Sequence, residues 1–244
     1  MFPIRDVNPT MSTPLATLAI IAVNLAVFFL WQPQGTDVAA TEFLYENAAI
    51  ACELTSGEPV TVEEIETDTC DDPGPGYFPE KNVWLAALVS MFLHGGIGHL
   101  LGNMWFLWIF GNNVEEAYGH LGYVALYLVT GFIATASFVV FNPDTTMPLV
   151  GASGAIAGVL GAYLVLFPTH KVLTLLIVVF VPVAAVVFLG LWLISQFLLP
   201  IDGVAWQAHV GGFIAGALIT LPLRPMLLAR VRRAHARHHA PFYG

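Results

Sequence analysis

Three short clusters of polar residues interrupt the apolar runs of this 244-residue sequence, and they contain the side chains that acyl transfer needs. They are residues 94–103 (HGGIGHLLGN), 151–154 (GASG) and 208–212 (AHVGG). A serine hydroxyl is a weak nucleophile until a neighbouring base takes its proton, and histidine is the natural base near neutral pH. The second and third clusters therefore predict a catalytic pair of Ser153 and His209.

Acyl transfer also needs hydrogen-bond donors for the negative oxygen that develops on the scissile carbonyl. His99 and Asn103 are four residues apart, so they lie one turn apart on the same face of a helix, and both side chains can donate. The backbone N–H of Ser153 is a third donor, at the positive end of a predicted helix. These three groups are the predicted oxyanion site.

Each cluster also has a purely structural interpretation. Polar side chains can hold membrane helices together, and a lone serine can bond the carbonyl one turn back. Other protease chemistries lack their residues: the sequence has no His-Glu-x-x-His motif for zinc and no paired aspartates in its apolar runs. The runs that contain Ser153 and His209 also have no acid that would orient the histidine. No metal and no cofactor are expected.

Glycines predict how the serine and the histidine meet. Gly154 and Gly158 form one small-xxx-small face, and Gly212 and Gly216 form another. Such faces allow membrane helices to pack in close contact. The serine precedes the first pair and the histidine precedes the second, so the two side chains are expected at similar depth.

The composition indicates which elements position these residues. Hydrophobic residues make up 57% of the chain and charged residues 10%, with a mean hydropathy of +0.75, whereas soluble domains carry about 25% charged residues. These values exclude intrinsic disorder and disfavour a soluble enzyme. A net charge of −9, with no basic stripe before residue 224, disfavours nucleic-acid binding. We expect an all-α polytopic membrane protein.

Six helical spans are predicted within residues 15–223, between a cytoplasmic segment, 1–14, and a basic cytoplasmic tail, 224–244. The fifth apolar run is too long for one straight span, which needs about 20 residues. Pro182 divides this run, and its first part, Val172–Val181, is expected to lie along the cytoplasmic interface or dip into it. The apolar runs are 15–31, 93–114, 122–141, 149–167, 172–199 and 204–223.

Charge predicts the orientation. Seven of the eight Lys and Arg residues fall on one side of the six-span arrangement and only Lys81 on the other, so both termini are expected in the cytoplasm. Twelve of the 17 acidic residues lie in the loop 32–83, which is expected outside the cytoplasm. In this loop, Cys52 and Cys70 either form a disulfide or remain free thiols. The basic tail is expected near anionic membrane lipid, and the oligomeric state is not predicted.

The joint pattern resembles the rhomboid family of intramembrane serine proteases over roughly residues 84–220. The resemblance implies a six-helix bundle of the rhomboid type, Ser153 as the nucleophile, His209 as the general base and no cofactor. Glu115 is expected to cap or bridge helix ends. The spacings that carry the resemblance are His94-x4-His99-x3-Asn103, Gly151-Ala-Ser-Gly154, His209-x2-Gly212-x3-Gly216 and Gly111-x3-Glu115-x3-Gly119.

The resemblance also implies the surroundings of the site. The substrates would be other transmembrane proteins, and the site would open to the side away from the cytoplasm. A compact form without extra domains favours a prokaryotic plasma membrane. A non-catalytic rhomboid-like factor that binds or remodels membrane proteins is the alternative. The supporting residues would be His94, Gly151 and Gly154, and the substrate gate would contain Trp192, Gln196 and Phe197.

Overall fold

The computed structural model is mostly helical and describes residues 1–35, 38–198 and 203–239, the last three of them as backbone only. The longer helices fill the apolar runs, and a group of short helices fills the acidic loop. The elements in chain order are β1 (Phe2–Asp6), α1 (Leu15–Ala26), α2 (Val38–Asn47), β2 (Ala49–Ile50), α3 (Ala51–Ser56), α4 (Val62–Thr67), α5 (Val83–Val89), α6 (Ile97–Tyr118), α7 (His120–Phe141), β3 (Pro148–Leu149), α8 (Ser153–Leu166), β4 (Lys171–Leu176), β5 (Val179–Ala184), α9 (Ala185–Leu198) and α10 (Trp206–His239).

Helix length and composition identify candidate spans directly. The helix α7 and the Trp206–Ala236 part of α10 are each long and apolar enough to cross a membrane. The helices Val83–Phe92 and Ile97–Tyr118 pass the same test together, with a bend of 77° between them. Three shorter apolar helices, Leu15–Trp31, α8 and α9, occupy the other predicted runs. Within the described residues, two helices are thus long and apolar enough to be spans, or three spans result if the bent pair counts as one. The six-span arrangement stays a prediction.

The expectation of an all-α fold is wrong at one end of the bundle. The predicted interfacial segment Val172–Val181 lies in an antiparallel hairpin of β4 and β5, and β1 completes a three-stranded sheet in the order β1-β4-β5. The segment is rich in valine, which favours strands. Pro182 lies on the outer strand, where a missing N–H is tolerated. The turn between the strands is apolar and exposed, with Ile177 96% and Val178 81% accessible.

The acidic loop is a folded subdomain and not merely a solvated linker. A disulfide joins Cys52 to Cys70 across 18 positions, so of the two alternatives the bridge is the one observed. The helices α2, α3 and α4 contribute to a small separate core around Ile50, Cys52 and Val60. The subdomain therefore has its own apolar interior and its own covalent crosslink.

The subdomain is bonded to the chain segment that leads to Ser153. The strand β2 pairs with β3. The carboxylate of Asp68 accepts hydrogen bonds from the N–H and the hydroxyl of Thr146, at 3.0 and 2.9 Å. These bonds hold the pKa of Asp68 below its usual value. The entrance to α8 is thus held from the side of the acidic loop.

A buried ion pair lies inside the subdomain. The Nζ atom of Lys81 is 2.6 Å from Oε2 of Glu53, and both side chains are 1% exposed. Lys81 also donates to the carbonyl of Tyr45 at 2.6 Å, and Glu53 accepts the N–H of Val60 at 3.2 Å. Burial raises the pKa of Glu53 and lowers the pKa of Lys81, and the attraction between the two charges opposes both shifts. Each charge therefore depends on the other.

Lys81→Met is expected to destabilise the subdomain by about 3–5 kcal/mol, because it leaves the Glu53 carboxylate buried without its partner. The double variant with Glu53→Gln removes both charges and is expected to recover much of this loss. Hydrogen exchange of the subdomain amides in detergent measures the effect. Lys171→Met, at an exposed lysine, is the control. Equal protection in Lys81→Met and in the unaltered chain would contradict the prediction.

The central helix α8 packs against α10 without intervening side chains. Every residue from Gly154 to Tyr163 is buried. A Cβ atom on Gly212 would lie 2.1 Å from the carbonyl oxygen of Gly154, and one on Gly216 would lie 1.9 Å from that of Gly158. The two glycine faces therefore meet in backbone contact, which fixes the starts of α8 and α10 relative to each other.

Candidate active site

The starts of α8 and α10 bring a hydroxyl and an imidazole together. Ser153 is the first residue of α8, and His209 lies in the first turn of α10. The Oγ atom of Ser153 is 2.8 Å from Nε2 of His209. This distance fits a hydrogen bond in which the hydroxyl donates to the ring, and the same geometry lets the ring take the proton.

The other ring nitrogen of His209 has a partner that spacing did not predict. Nδ1 lies 2.7 Å from Oε1 of Gln196 on α9. The ring of Trp192, one turn earlier on α9, lies beside the imidazole with the ring centroids 6.1 Å apart. Ser153 and Gln196 are the hydrogen-bond partners of this histidine side chain among the described residues. The imidazole is therefore held at both nitrogens.

The predicted oxyanion donors lie on the first turns of α6. Gly151 adopts a φ of 126°, and a Cβ atom there would lie 2.8 Å from Nε2 of His99 and 3.5 Å from Oγ of Ser153, so the His99 ring sits beside the serine only because this residue is glycine. The side chain of Asn103 is buried, and its Nδ2 has no hydrogen-bond partner in the described part of the chain. A buried donor without a partner is costly, so this amide is available to a ligand.

His94 lies behind His99, with their ring centroids 5.2 Å apart. The side chain of Gln32 clamps the main chain of His94: it accepts the N–H at 3.1 Å and donates to the carbonyl at 2.5 Å. Gln32 was not among the residues predicted from the sequence. The sequence feature that could have indicated it is its position as a polar side chain directly after the first apolar run. The residues that hold His94 in place therefore include one at the end of the first apolar helix.

The three predicted gate residues have different surroundings. Trp192 packs against Phe213 as well as the imidazole, with the ring centroids of Trp192 and Phe213 5.9 Å apart. Gln196 bonds the histidine. Phe197 is 53% exposed, and its ring lies 5.2 Å from that of Trp206. Two of the three side chains thus face the site and one faces outward. The loop that follows, residues 199–202, lies outside the described residues.

Two residues of the predicted motifs serve helix packing. A Cβ atom on Gly154 would lie 2.6 Å from the Cβ of Ala134 on α7, so this glycine, predicted as a support of the site, supports it through close helix contact. Glu115 lies near the far end of α6 and accepts the N–H groups of Ala16 and Thr17 at 2.8 Å each. It caps α1 and stands apart from the catalytic candidates.

Comparison with known proteins identifies the family of this chain. A family model described as the rhomboid domain matches residues 81–226, which is more than half of the chain. The chain belongs to the rhomboid family. The rhomboid family consists of integral membrane proteins and includes serine proteases that act on transmembrane substrates. The matched residues include all the predicted site residues and leave out most of the acidic subdomain.

Several curated rhomboid proteins are similar to this chain. Rhomboid protease GluP of Bacillus subtilis is 34% identical over 208 residues, which cover 83% of this chain and 34% of GluP. RHOMBOID-like protein 7 of Arabidopsis thaliana is 33% identical over 144 residues, 57% of this chain and 42% of the plant protein. Rhomboid-related protein 2 of Mus musculus is 24% identical over 220 residues, 84% of this chain and 63% of the mouse protein. The chain thus spans between about a third and two thirds of the length of these relatives.

Proposed function

We propose that this rhomboid is an intramembrane serine endopeptidase that hydrolyses peptide bonds in or beside the transmembrane helices of other proteins. The observation that carries the proposal is the 2.8 Å contact between Oγ of Ser153 and Nε2 of His209. A lone serine in a membrane helix can bond the carbonyl one turn back in its own helix. Among the described residues, the hydroxyl of Ser153 instead bonds an imidazole, the kind of base that can activate a serine.

The reaction follows from this contact in two halves. Oγ of Ser153 attacks the scissile carbonyl while Nε2 of His209 takes its proton, and the imidazolium then gives that proton to the leaving amine. Water, deprotonated by the same histidine, attacks the acyl ester and releases the second product with the serine restored. The side chains of His99 and Asn103 and the N–H of Ser153 are the donors proposed for the oxyanion.

The length of α8 supports a site below the membrane surface. The helix has 14 residues and is about 21 Å long, whereas the hydrocarbon core is about 30 Å thick. If the far end of α8 reaches one interface, Ser153 at its start lies within the membrane. Water must then enter along a polar path, and the cluster of His94, His99 and Asn103 offers one.

We further propose six spans, made by α1, α6, α7, α8, α9 and α10, with both termini in the cytoplasm. The distribution of Lys and Arg supports this orientation. The disulfide in the acidic subdomain also supports it, because disulfides persist in oxidising compartments outside the cytoplasm. The site then opens to the extracytoplasmic side, with α9 beside it as the proposed gate, and a prokaryotic plasma membrane is the proposed location.

A fluorophosphonate probe tests the proposal, because it reacts covalently with activated serines. We expect mass spectrometry to find the label on Ser153 of the purified chain in liposomes. We expect no label on this position in Ser153→Ala and background labelling in His209→Ala. A folded sample that takes up no probe would contradict the proposal and favour a non-catalytic rhomboid that binds membrane proteins.

A further inference from the structure

We propose that Gln196 is a positioning residue for this reaction: its side-chain carbonyl holds His209 in the tautomer that carries its proton on Nδ1. The inference rests on the proposed function and extends it, since the expected role of Gln196 was in a substrate gate. It is carried by two contacts on one ring. Nδ1 is 2.7 Å from Oε1 of Gln196, and Nε2 is 2.8 Å from Oγ of Ser153.

The tautomer follows from the chemistry of the two partners. A neutral imidazole carries one N–H, and the group bonded to that N–H selects which nitrogen holds it. An amide oxygen can only accept, so the oxygen of Gln196 selects the proton on Nδ1. The lone pair of Nε2 is then free to accept the proton of Ser153. The opposite tautomer would place an N–H against the hydroxyl and could not act as the base.

The orientation of the amide is set by its other end. Nε2 of Gln196 donates to the main-chain carbonyl of Trp192 at 3.2 Å and lies 3.4 Å from Oγ of Ser195. The carbonyl of Trp192 offers no donor, so the amide nitrogen must face it and the amide oxygen must face the imidazole. A reversed amide would place its N–H against Nδ1 of His209 and its oxygen against the carbonyl oxygen of Trp192, which are both acceptors. The network thus permits one assignment.

A glutamine also suits the surroundings of α9. The helix exposes apolar side chains such as Leu191 and Ile194, which are 47% and 50% accessible. A polar side chain in such a helix is expensive unless it has a partner inside the protein. A carboxylate would add a charge to this apolar setting, whereas a neutral amide orients the ring without one. Gln196 therefore performs the orienting part of the role that an acid plays in a Ser-His-Asp triad.

Two substitutions at this position test the inference in the full chain in liposomes. Gln196→Met keeps the length of the side chain and removes the acceptor, and Gln196→Glu keeps an acceptor and adds a charge. Gln207→Met is the matched control, because Gln207 lies two residues before His209 and contacts Asn142 instead. The readouts are the rate of fluorophosphonate labelling of Ser153, kcat and KM on a one-helix reporter substrate, and the pH profile. A fourth readout is the ¹⁵N NMR signal of His209, which reports the tautomer without any activity.

We expect Gln196→Met to lower the labelling rate and kcat by about 10- to 100-fold, the range typical when a metal-bound histidine loses the partner of its other nitrogen, with little change in KM. The loss should be smaller than that of a triad aspartate, because Gln196 orients the ring without adding a charge. The Nδ1–H signal should give way to a mixture of tautomers. Gln196→Glu should restore most of the rate and move the acidic limb of the profile to higher pH, because a carboxylate favours the protonated ring. Gln207→Met should match the unaltered chain.

Other outcomes would overturn the inference. One is a Gln196→Met chain that labels at the original rate and keeps the Nδ1–H signal. Another is an equal loss in Gln196→Met and Gln196→Glu without movement of the pH limb, which would indicate a packing role. If the unaltered chain itself fails to label, the proposed function falls, and the NMR signal still decides whether Gln196 sets the tautomer.

Discussion

Replacing Ser153 by alanine is expected to lower the rate of substrate cleavage by a factor on the order of 10⁴ or more, because the variant lacks the nucleophile proposed to form the acyl-enzyme. His209→Ala should cost a similar factor, since the hydroxyl then lacks its base. The double variant should be no slower than either single one, because the two residues act as a unit. The measurement is cleavage of a reporter with one transmembrane helix in liposomes.

Ser137→Ala is the control for this series, because Ser137 is also a serine within an apolar helix, the candidate span α7. We expect this variant to cleave the reporter at the original rate. Cleavage that persists in Ser153→Ala would refute the mechanism. Independent losses that multiply in the double variant would show that the serine and the histidine do not act together.

Asn103→Ala is expected to lower kcat by about 10²–10³-fold and to leave KM nearly unchanged, because Asn103 is a proposed oxyanion donor and such a donor acts mainly in the transition state. The structure supports this expectation, because Nδ2 of Asn103 is buried and has no hydrogen-bond partner among the described residues. A donor that only packed helices together would be bonded in the resting protein. Loss of this side chain should therefore cost rate and not stability.

Asn112→Ala is the matched control, since Asn112 lies on the same helix near its far end. We expect wild-type kcat for it. Steady-state kinetics on the reporter and thermal unfolding in detergent separate the two roles of Asn103. A variant that loses stability and keeps kcat would assign Asn103 to helix packing, which was the structural alternative from the sequence.

The catalytic candidates were accessible from sequence because helical spacing converts directly into position. A spacing of four residues places His99 and Asn103 on one face, and glycines four apart mark where two helices touch. The backbone contact between Gly216 and Gly158 is the consequence of that rule. Such regularities need no knowledge of distant parts of the chain.

The contacts that sequence reasoning missed join segments with no common period. The hairpin of β4 and β5 also pairs with β1, where Phe2 lies opposite Leu175. The bond between Gln196 and His209 depends on how α9 is rotated about its own axis, and periodicity within α9 does not fix its rotation relative to α10. The acidic loop likewise contains a disulfide that the composition alone could not predict.

The disulfide of the acidic subdomain also bears on how the protein is handled. Closing a loop of this length lowers the entropy of the unfolded chain by an amount worth about 3 kcal/mol. The same subdomain is bonded to the strand that precedes Ser153. Reduction of the bridge by dithiothreitol is therefore expected to loosen the approach to the serine. Batches purified with and without reductant can therefore differ in activity. Assays that compare variants need to keep the Cys52–Cys70 pair in the same oxidation state.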